Sequence, residues 1–236
     1  MTGRDRDPLV IAGAIEQLQR RVLGVPIVLV ILFLAFADLM LAFPEIDLTV
    51  SEVFYTPGSG FEARGRPWER FFYRSLEILM VLANLALVAL WLVNRWTGRT
   101  LLGLDGRKLL FLLCLLALVP GLLVNQVLKE NWGRARPVDV VELGGHAPFT
   151  PPFVYVGHGG GSFSSGHVAA ACYLVAVGRT LFGARSRWSL AMALYAAMVG
   201  LARIAAGGHF FSDVVTSCFL MLIGYLALHR VFFGER

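Results

Sequence analysis

Charge is what this sequence has least of. Asp, Glu, Lys and Arg make up 16% of its 236 residues and hydrophobic residues 57%, whereas a soluble domain carries about 25% charged residues. So sparse a polar complement argues against a water-soluble globule. Cysteine is scarce as well. Cys114, Cys172 and Cys218 are the only three, and each lies inside an apolar run, so a disulfide scaffold or a Cys-rich metal site is a poor reading. Runs that alternate apolar and polar residues are missing, which argues against a transmembrane barrel. There is no internal repeat and no low-complexity tract. Lys and Arg exceed Asp and Glu by 21 to 16, a net charge of only +5, and no nucleic-acid partner is expected from so small an excess.

Long apolar runs are what the chain does contain. A spanning helix needs about 20 mostly apolar residues to cross roughly 30 Å of hydrocarbon. Six stretches approach that length, at 22–43, 76–93, 109–128, 168–182, 188–206 and 214–233. The fourth is short and is expected either to take in Gly166 and His167 or to stand nearly upright. The expected fold is all-α, one integral-membrane domain over residues 1–236 built as a six-span transmembrane helical bundle. With the N-terminus inside, 13 of the 21 Lys and Arg fall on the inner side and 8 on the outer. Cytoplasmic loops retain these residues, so both termini are expected inside. Residues 1–21 then form a cytoplasmic N-terminal segment, and 44–75 and 129–167 are the outer connections. Ala35-Phe36-Ala37 resembles a signal-peptidase site, but the apolar run continues to Phe43, and an uncleaved anchor is expected. In the first outer connection, Pro67-Trp68-Glu69-Arg70-Phe71-Phe72-Tyr73-Arg74 predicts a short amphipathic helix in the headgroup region, anchored by its aromatics.

Three polar clusters interrupt this apolar background. The first follows the third run and contains Lys129, Trp132, Arg134, Arg136 and Pro137. Lys129 and Arg136 can converge on one multivalent anion, although a basic anchor for lipid headgroups would look the same. The second, Ser162-Phe163-Ser164-Ser165-Gly166-His167, leads into the fourth run. A glycine flanked by hydroxyls at a helix start leaves backbone N–H groups free to point at a phosphate, and the helix dipole favours that charge. His167, on the first turn, can pass a proton to a leaving oxygen. Taken alone, this fragment is more simply an N-cap with an incidental histidine. The third cluster joins the fifth and sixth runs and contains Arg203, Gly207, Gly208, His209 and Asp213. If the sixth helix starts near His209, Asp213 shares its face and can hold the imidazole in one tautomer. The two glycines let the chain turn beside Arg203, whose guanidinium can grip phosphate oxygens in bidentate fashion.

The topology brings all three clusters to one place. Counting crossings from a cytoplasmic N-terminus puts each of them at the outer membrane–water interface, where the active site is expected. Three cations, a phosphate-sized nest, two histidines and an aspartate together specify phosphoryl transfer through a phosphohistidine far better than any one cluster does.

Lys129-x6-Arg136-Pro137, then Ser164-Ser165-Gly166-His167, then Ala202-Arg203-x5-His209-x3-Asp213 resembles the tripartite signature of the type 2 phosphatidic acid phosphatase superfamily. The order and spacing match, and the six-span pattern fits nearly the whole chain. Two positions depart from the commonest pattern: Ser164 stands where proline is usual and Ala202 where serine is usual. The resemblance implies that His209 attacks phosphorus, Asp213 orients it, and His167 protonates the leaving group and later helps water attack the phosphohistidine. It also implies that Lys129, Arg136 and Arg203, with the Ser165 hydroxyl and the backbone around Gly166, hold the phosphate oxygens. No metal and no cofactor are expected, three fixed cations standing where a metal could otherwise neutralise the phosphate.

A lipid phosphate places its headgroup at the interface and its chains in the bilayer, so a site at helix ends reaches it without extracting the lipid. The expected substrate is therefore a phosphate monoester or diphosphate on a membrane lipid. The string from Trp132 to Pro137, with Val141-Glu142-Leu143-Gly144-Gly145 and Phe149-Thr150-Pro151-Pro152-Phe153, is similar to bacterial members acting on lipid A phosphates. The expected location is accordingly the bacterial inner membrane with the site facing the periplasm. Undecaprenyl diphosphate, phosphatidylglycerophosphate and phosphatidic acid stay open as substrates. So do a phosphotransferase passing phosphate to a second lipid, an anion channel or transporter using the same cations, and the oligomeric state. Asp38, near the outer end of the first run, either pairs with a basic site residue or snorkels. Asn125 and Gln126 read as residues bridging helices. His146 and His158, with Asp139 and Glu142, are spaced too irregularly for a good metal site.

Overall fold

The computed structural model describes residues 21–157 and 161–234. The expected N-terminal segment, apart from Arg21, lies outside the described residues, as do His158 and Arg236. Two antiparallel two-residue strands, β1 (Arg21–Val22) and β2 (Val25–Pro26), lead into α1 (Ile27–Ala42). Phe43, which precedes a proline, leaves helical geometry at φ −131° and ψ 64°. The chain then restarts as α2 (Glu45–Glu52), bent by 82° from α1. A second small hairpin, β3 (Tyr55–Thr56) with β4 (Gly60–Phe61), precedes α3 (Pro67–Thr97). The remaining helices are α4 (Gly106–Lys129), α5 (Gly166–Phe182), α6 (Arg187–Ala205) and α7 (Phe211–Phe233).

All six expected stretches fold as helices, in an all-α bundle whose only sheets among the described residues are the two hairpins. Four helices, α3, α4, α6 and α7, are each long and apolar enough to cross a membrane. The α1 helix reaches that measure only together with α2. The α5 helix has 17 residues and, as expected, begins at Gly166. The multi-pass architecture shows in α3, where Ile78, Leu82 and Leu85 are exposed while Leu76 and Leu87 are buried. That pattern is a lipid-facing surface around a protein core.

One expectation about α3 is corrected. No short interfacial helix over residues 67–74 stands apart from the span, because Pro67–Thr97 is one continuous helix of 31 residues. Pro67 occupies the first turn, where its missing N–H costs nothing. No breaker separates Arg74 from Leu76, so the aromatic and basic turns continue directly into the apolar ones.

The α5 helix is the centre of the bundle. Val168, Ala169, Ala171 and Tyr173 are essentially inaccessible, and small residues let neighbouring backbones approach. At Gly178 a side-chain β-carbon would lie 2.5 Å from the Met192 sulfur of α6. Polar contacts between helices fix the arrangement. The Tyr173 hydroxyl donates to the Asn84 carbonyl oxygen of α3 at 2.8 Å, and the Ser75 and Tyr195 hydroxyls meet at 2.8 Å between α3 and α6.

Candidate active site

The three sequence clusters meet at one end of the bundle, where α4 and α6 end and α5 and α7 begin. The local sequence of each element explains how its residues arrive. Pro120 inside α4 has no N–H and its ring crowds the preceding turn. From Ala117 to Lys129 the helix accordingly runs with the wider π winding, and the Asn125 side-chain amide donates to the Pro120 carbonyl at 2.7 Å. Asn125 thus closes its own helix, and it also packs against Gly166, where a β-carbon would fall 2.4 Å from its oxygen. After Lys129 the chain turns through Gly133 at φ +79°, against the Gly157 backbone. The Gly161 and Ser162 N–H groups then donate to the Arg134 carbonyl at 3.0 and 3.1 Å, which ties the first cluster to the second.

Arg134 is the pivot of the site, and the sequence reading gave it no role. Its side chain is wholly buried. It donates to Asp213 at 2.6 Å, to the Ser212 hydroxyl at 2.8 Å, to Asp47 of α2 at 2.7 Å and to the Thr150 carbonyl at 3.0 Å. The Phe210 ring lies 4.3 Å from its guanidinium carbon. Asp47 in turn accepts from the Ser212 N–H at 2.8 Å and from the Ser212 hydroxyl. A buried charge is tolerable only when paired and hydrogen-bonded, and here one guanidinium satisfies two carboxylates.

His209 stands just before α7 rather than on it, since α7 starts at Phe211. The expected sharing of one helical face with Asp213 is therefore corrected. His209 Nδ1 lies 2.8 Å from the Ser162 carbonyl oxygen, and the nearer Asp213 oxygen is 3.8 Å away. That carboxylate oxygen accepts instead from the Phe210 N–H at 2.9 Å and from the Ser162 hydroxyl. Nδ1 faces only acceptors, so it carries the proton and Nε2 carries the lone pair. Burial holds the imidazole below the usual histidine range, against the pull of the Asp213 carboxylate.

His167 is stacked on Tyr73 of α3, with ring centroids 4.5 Å apart. Its Nε2 is buried without a hydrogen-bond partner among the described residues. The ring is close enough to His209, Lys129, Arg136 and Arg203 for their charges to act on it, so the expected histidines and cations do converge. Arg203 lies over the other aromatic contact, 5.0 Å from the Tyr73 centroid, and pairs with Glu69 at 3.7 Å. Its Nε is buried and unpartnered among the described residues. The close approach of Arg203 requires Gly208, where a β-carbon would fall 2.2 Å from the guanidinium. Ser165 caps α5, its hydroxyl accepting from the Val168 N–H at 3.4 Å, so the nest is formed as the helix N-terminus at Gly166. The Ser164 hydroxyl beside it is buried and unpartnered among the described residues.

Asp38 is exposed and makes no ion pair among the described residues, so it takes no part in the site. Among those residues no three His, Cys, Asp or Glu side chains gather as a metal site would require. Glu69, Tyr73, Asp47, Arg134 and Ser162 are the site residues that sequence reasoning missed. Arg134 carried a signal, as an arginine at membrane depth that demands a partner, and Ser162 opened the second polar cluster.

Residues 107–236 match the PAP2 superfamily model. The lipid A 4'-phosphatase of Francisella tularensis subsp. novicida is 30% identical over 224 residues, covering 88% of this chain and 95% of its own. The lipid A 4'-phosphatase of Rhizobium leguminosarum is 31% identical over 208 residues, covering 79% and 87%. No solved structure matches.

Proposed function

The chain belongs to the PAP2 superfamily, and from that premise we propose that it is a lipid phosphatase that removes phosphate from lipid A or a closely similar lipid through a phosphohistidine. The similarity to two lipid A 4'-phosphatases supports the substrate class. In this reading the enzyme lies in a bacterial inner membrane with both termini cytoplasmic and the site facing the periplasm.

One observation carries the mechanism. The Ser162 carbonyl, with Asp213 behind it, fixes the His209 proton on Nδ1, leaving Nε2 as an oriented nucleophile beside three cations. His209 Nε2 attacks phosphorus, and the bond to the leaving oxygen breaks. The leaving oxygen takes its proton from His167, whose Nε2 has no partner among the described residues to hold it elsewhere. Lys129, Arg136, Arg203 and the N–H groups at the start of α5 hold the equatorial oxygens as charge develops. Water then gives a proton to His167 and attacks the phosphohistidine, releasing inorganic phosphate and restoring the imidazole. The cations supply the neutralisation that a metal provides in other phosphatases, so the proposal includes activity without a metal.

The test measures phosphate release from lipid A in EDTA-treated micelles. The wild-type protein releases phosphate, acid-stable quenching is not needed to see turnover, and His209→Gln abolishes it. Release that survives in His209→Gln, or that stops in EDTA and returns with a divalent cation, rejects this mechanism.

A further inference from the structure

The cations of the phosphate grip also line a second space. A cavity of about 310 Å³ is lined by Arg136 and Arg203 together with Arg64, Arg70 and Arg74. Tyr73 and Glu69 line it as well. Arg70, Tyr73 and Arg74 sit on the first turns of α3, and Arg64 is in the loop before it. Arg64 is near enough to Arg203 for the two charges to repel. The one acid of the wall, Glu69, is already paired with Arg203. Arg64, Arg70 and Arg74 are exposed and make no ion pair among the described residues.

Such an arrangement is unfavourable without an anion. Five guanidinium groups around one small cavity repel one another, and membrane anchoring would require only that they face the headgroups, not that they share a wall with the catalytic cations. His167 is within electrostatic reach of Lys129, Arg136, Arg203 and His209. Arg136 and Arg203 thus join two lobes, the phosphate grip and a lobe whose one acid, Glu69, is already paired with Arg203.

We propose that the lobe formed by Arg64, Arg70 and Arg74 is a subsite for a second anionic group carried by the same lipid, so that the preferred substrate is a lipid bearing two phosphates or a diphosphate. This deepens the phosphatase reading and rests on it. The arginine forks suit phosphate or carboxylate oxygens.

The experiment compares kcat/KM for a monophosphorylated lipid, its bisphosphorylated form and its diphosphate in neutral detergent micelles. The wild-type protein is expected to favour one of the two-anion lipids by about tenfold, and which one identifies where the second group sits. The variant carrying Arg64→Gln, Arg70→Gln and Arg74→Gln loses that preference and keeps its rate on the monophosphorylated lipid. Binding of the same lipids to His209→Gln protein reports the subsite without turnover. If binding discriminates and the triple substitution removes the discrimination, the subsite stands even should the wild-type protein release no phosphate, in which case only the phosphatase reading falls. Equal binding of one-anion and two-anion lipids overturns the subsite. So does a loss in the triple variant that follows the phosphatidylglycerol content of the micelle rather than the second phosphate, since that is surface attraction alone.

Discussion

Arg134 shows how much one buried side chain can decide. It is surrounded by two carboxylates, Asp47 and Asp213, both with no exposed surface, and removing its charge would strand them. Breaking a buried pair in this way costs about 3–5 kcal/mol. Arg134→Met is expected to lower the thermal midpoint in detergent sharply, and Asp47→Asn to lower it less, because Arg134 then keeps Asp213. Equal midpoints for the two variants would contradict the pivot role. His209 gives a pH prediction with a definite sign. Its folded pKa is depressed, so the neutral nucleophile persists on acidification, and the acid limb of kcat is expected below about pH 6.5, the ordinary histidine value. The Asp213 carboxylate favours the imidazolium, so Asp213→Asn should move that limb to still lower pH while reducing the rate. A limb that moves toward neutral pH would show that Asp213 does not act on this ring.

The π-wound half of α4 ties stability to function at the level of an element. Pro120 in a helix interior costs roughly 3 kcal/mol relative to a good helix former, yet the wide winding after it sets the direction in which Lys129 leaves the helix. Pro120→Ala should let the segment rewind as a regular α-helix, raising the thermal midpoint and turning Lys129 away from Arg136. Losing one charge-assisted contact of this kind is worth about tenfold or more in kcat/KM, and a more stable protein with unchanged kinetics would refute the link. The element level also explains what could be read in advance. The three motifs were legible because each is local, with Lys129 to Arg136, Ser164 to His167 and Arg203 to Asp213 all inside single short segments. The six helices were legible because apolar runs of that length have few other uses in a chain so poor in charge. Asp47 was not legible, since its partner Ser212 is 165 positions away and nothing near Pro44 marks an acid bound for the core. Tyr73 was read as an anchor because an aromatic beside arginines at a helix start fits a headgroup belt as well as it fits a stack on His167. The start of α7 falls between Val214, where the apolar run begins, and His209, where the motif would open a turn, because Phe210 is the N-cap.

Across the whole molecule, the site elements are the ends of α4 and α6 and the starts of α5 and α7, so the chemistry sits at one rim of the bundle. Cross-links at that rim come from every direction: Val138 N–H donates to the Gly207 carbonyl at 3.2 Å, Arg134 reaches α2 and α7, and Ser162 holds His209. The opposite rim carries Arg95, Arg99, Arg107, Lys108, Arg179, Arg185 and Arg187. The site rim also carries cations, but Arg134 and Arg203 there are paired with carboxylates, and Lys129 and Arg136 gather beside them at the site rather than in orienting loops. Discounting them leaves the excess on the opposite rim larger, and Lys and Arg left in loops mark the cytoplasmic side. A cysteine introduced at Ser59, in the hairpin loop on the site rim, should therefore react with a membrane-impermeant maleimide in intact cells, while one at Gly98, after α3, should react only once the membrane is opened. The reverse pattern would put His209 on the cytoplasmic side, where it would meet inner-leaflet lipids, and the periplasmic assignment would be wrong even if every catalytic role were right.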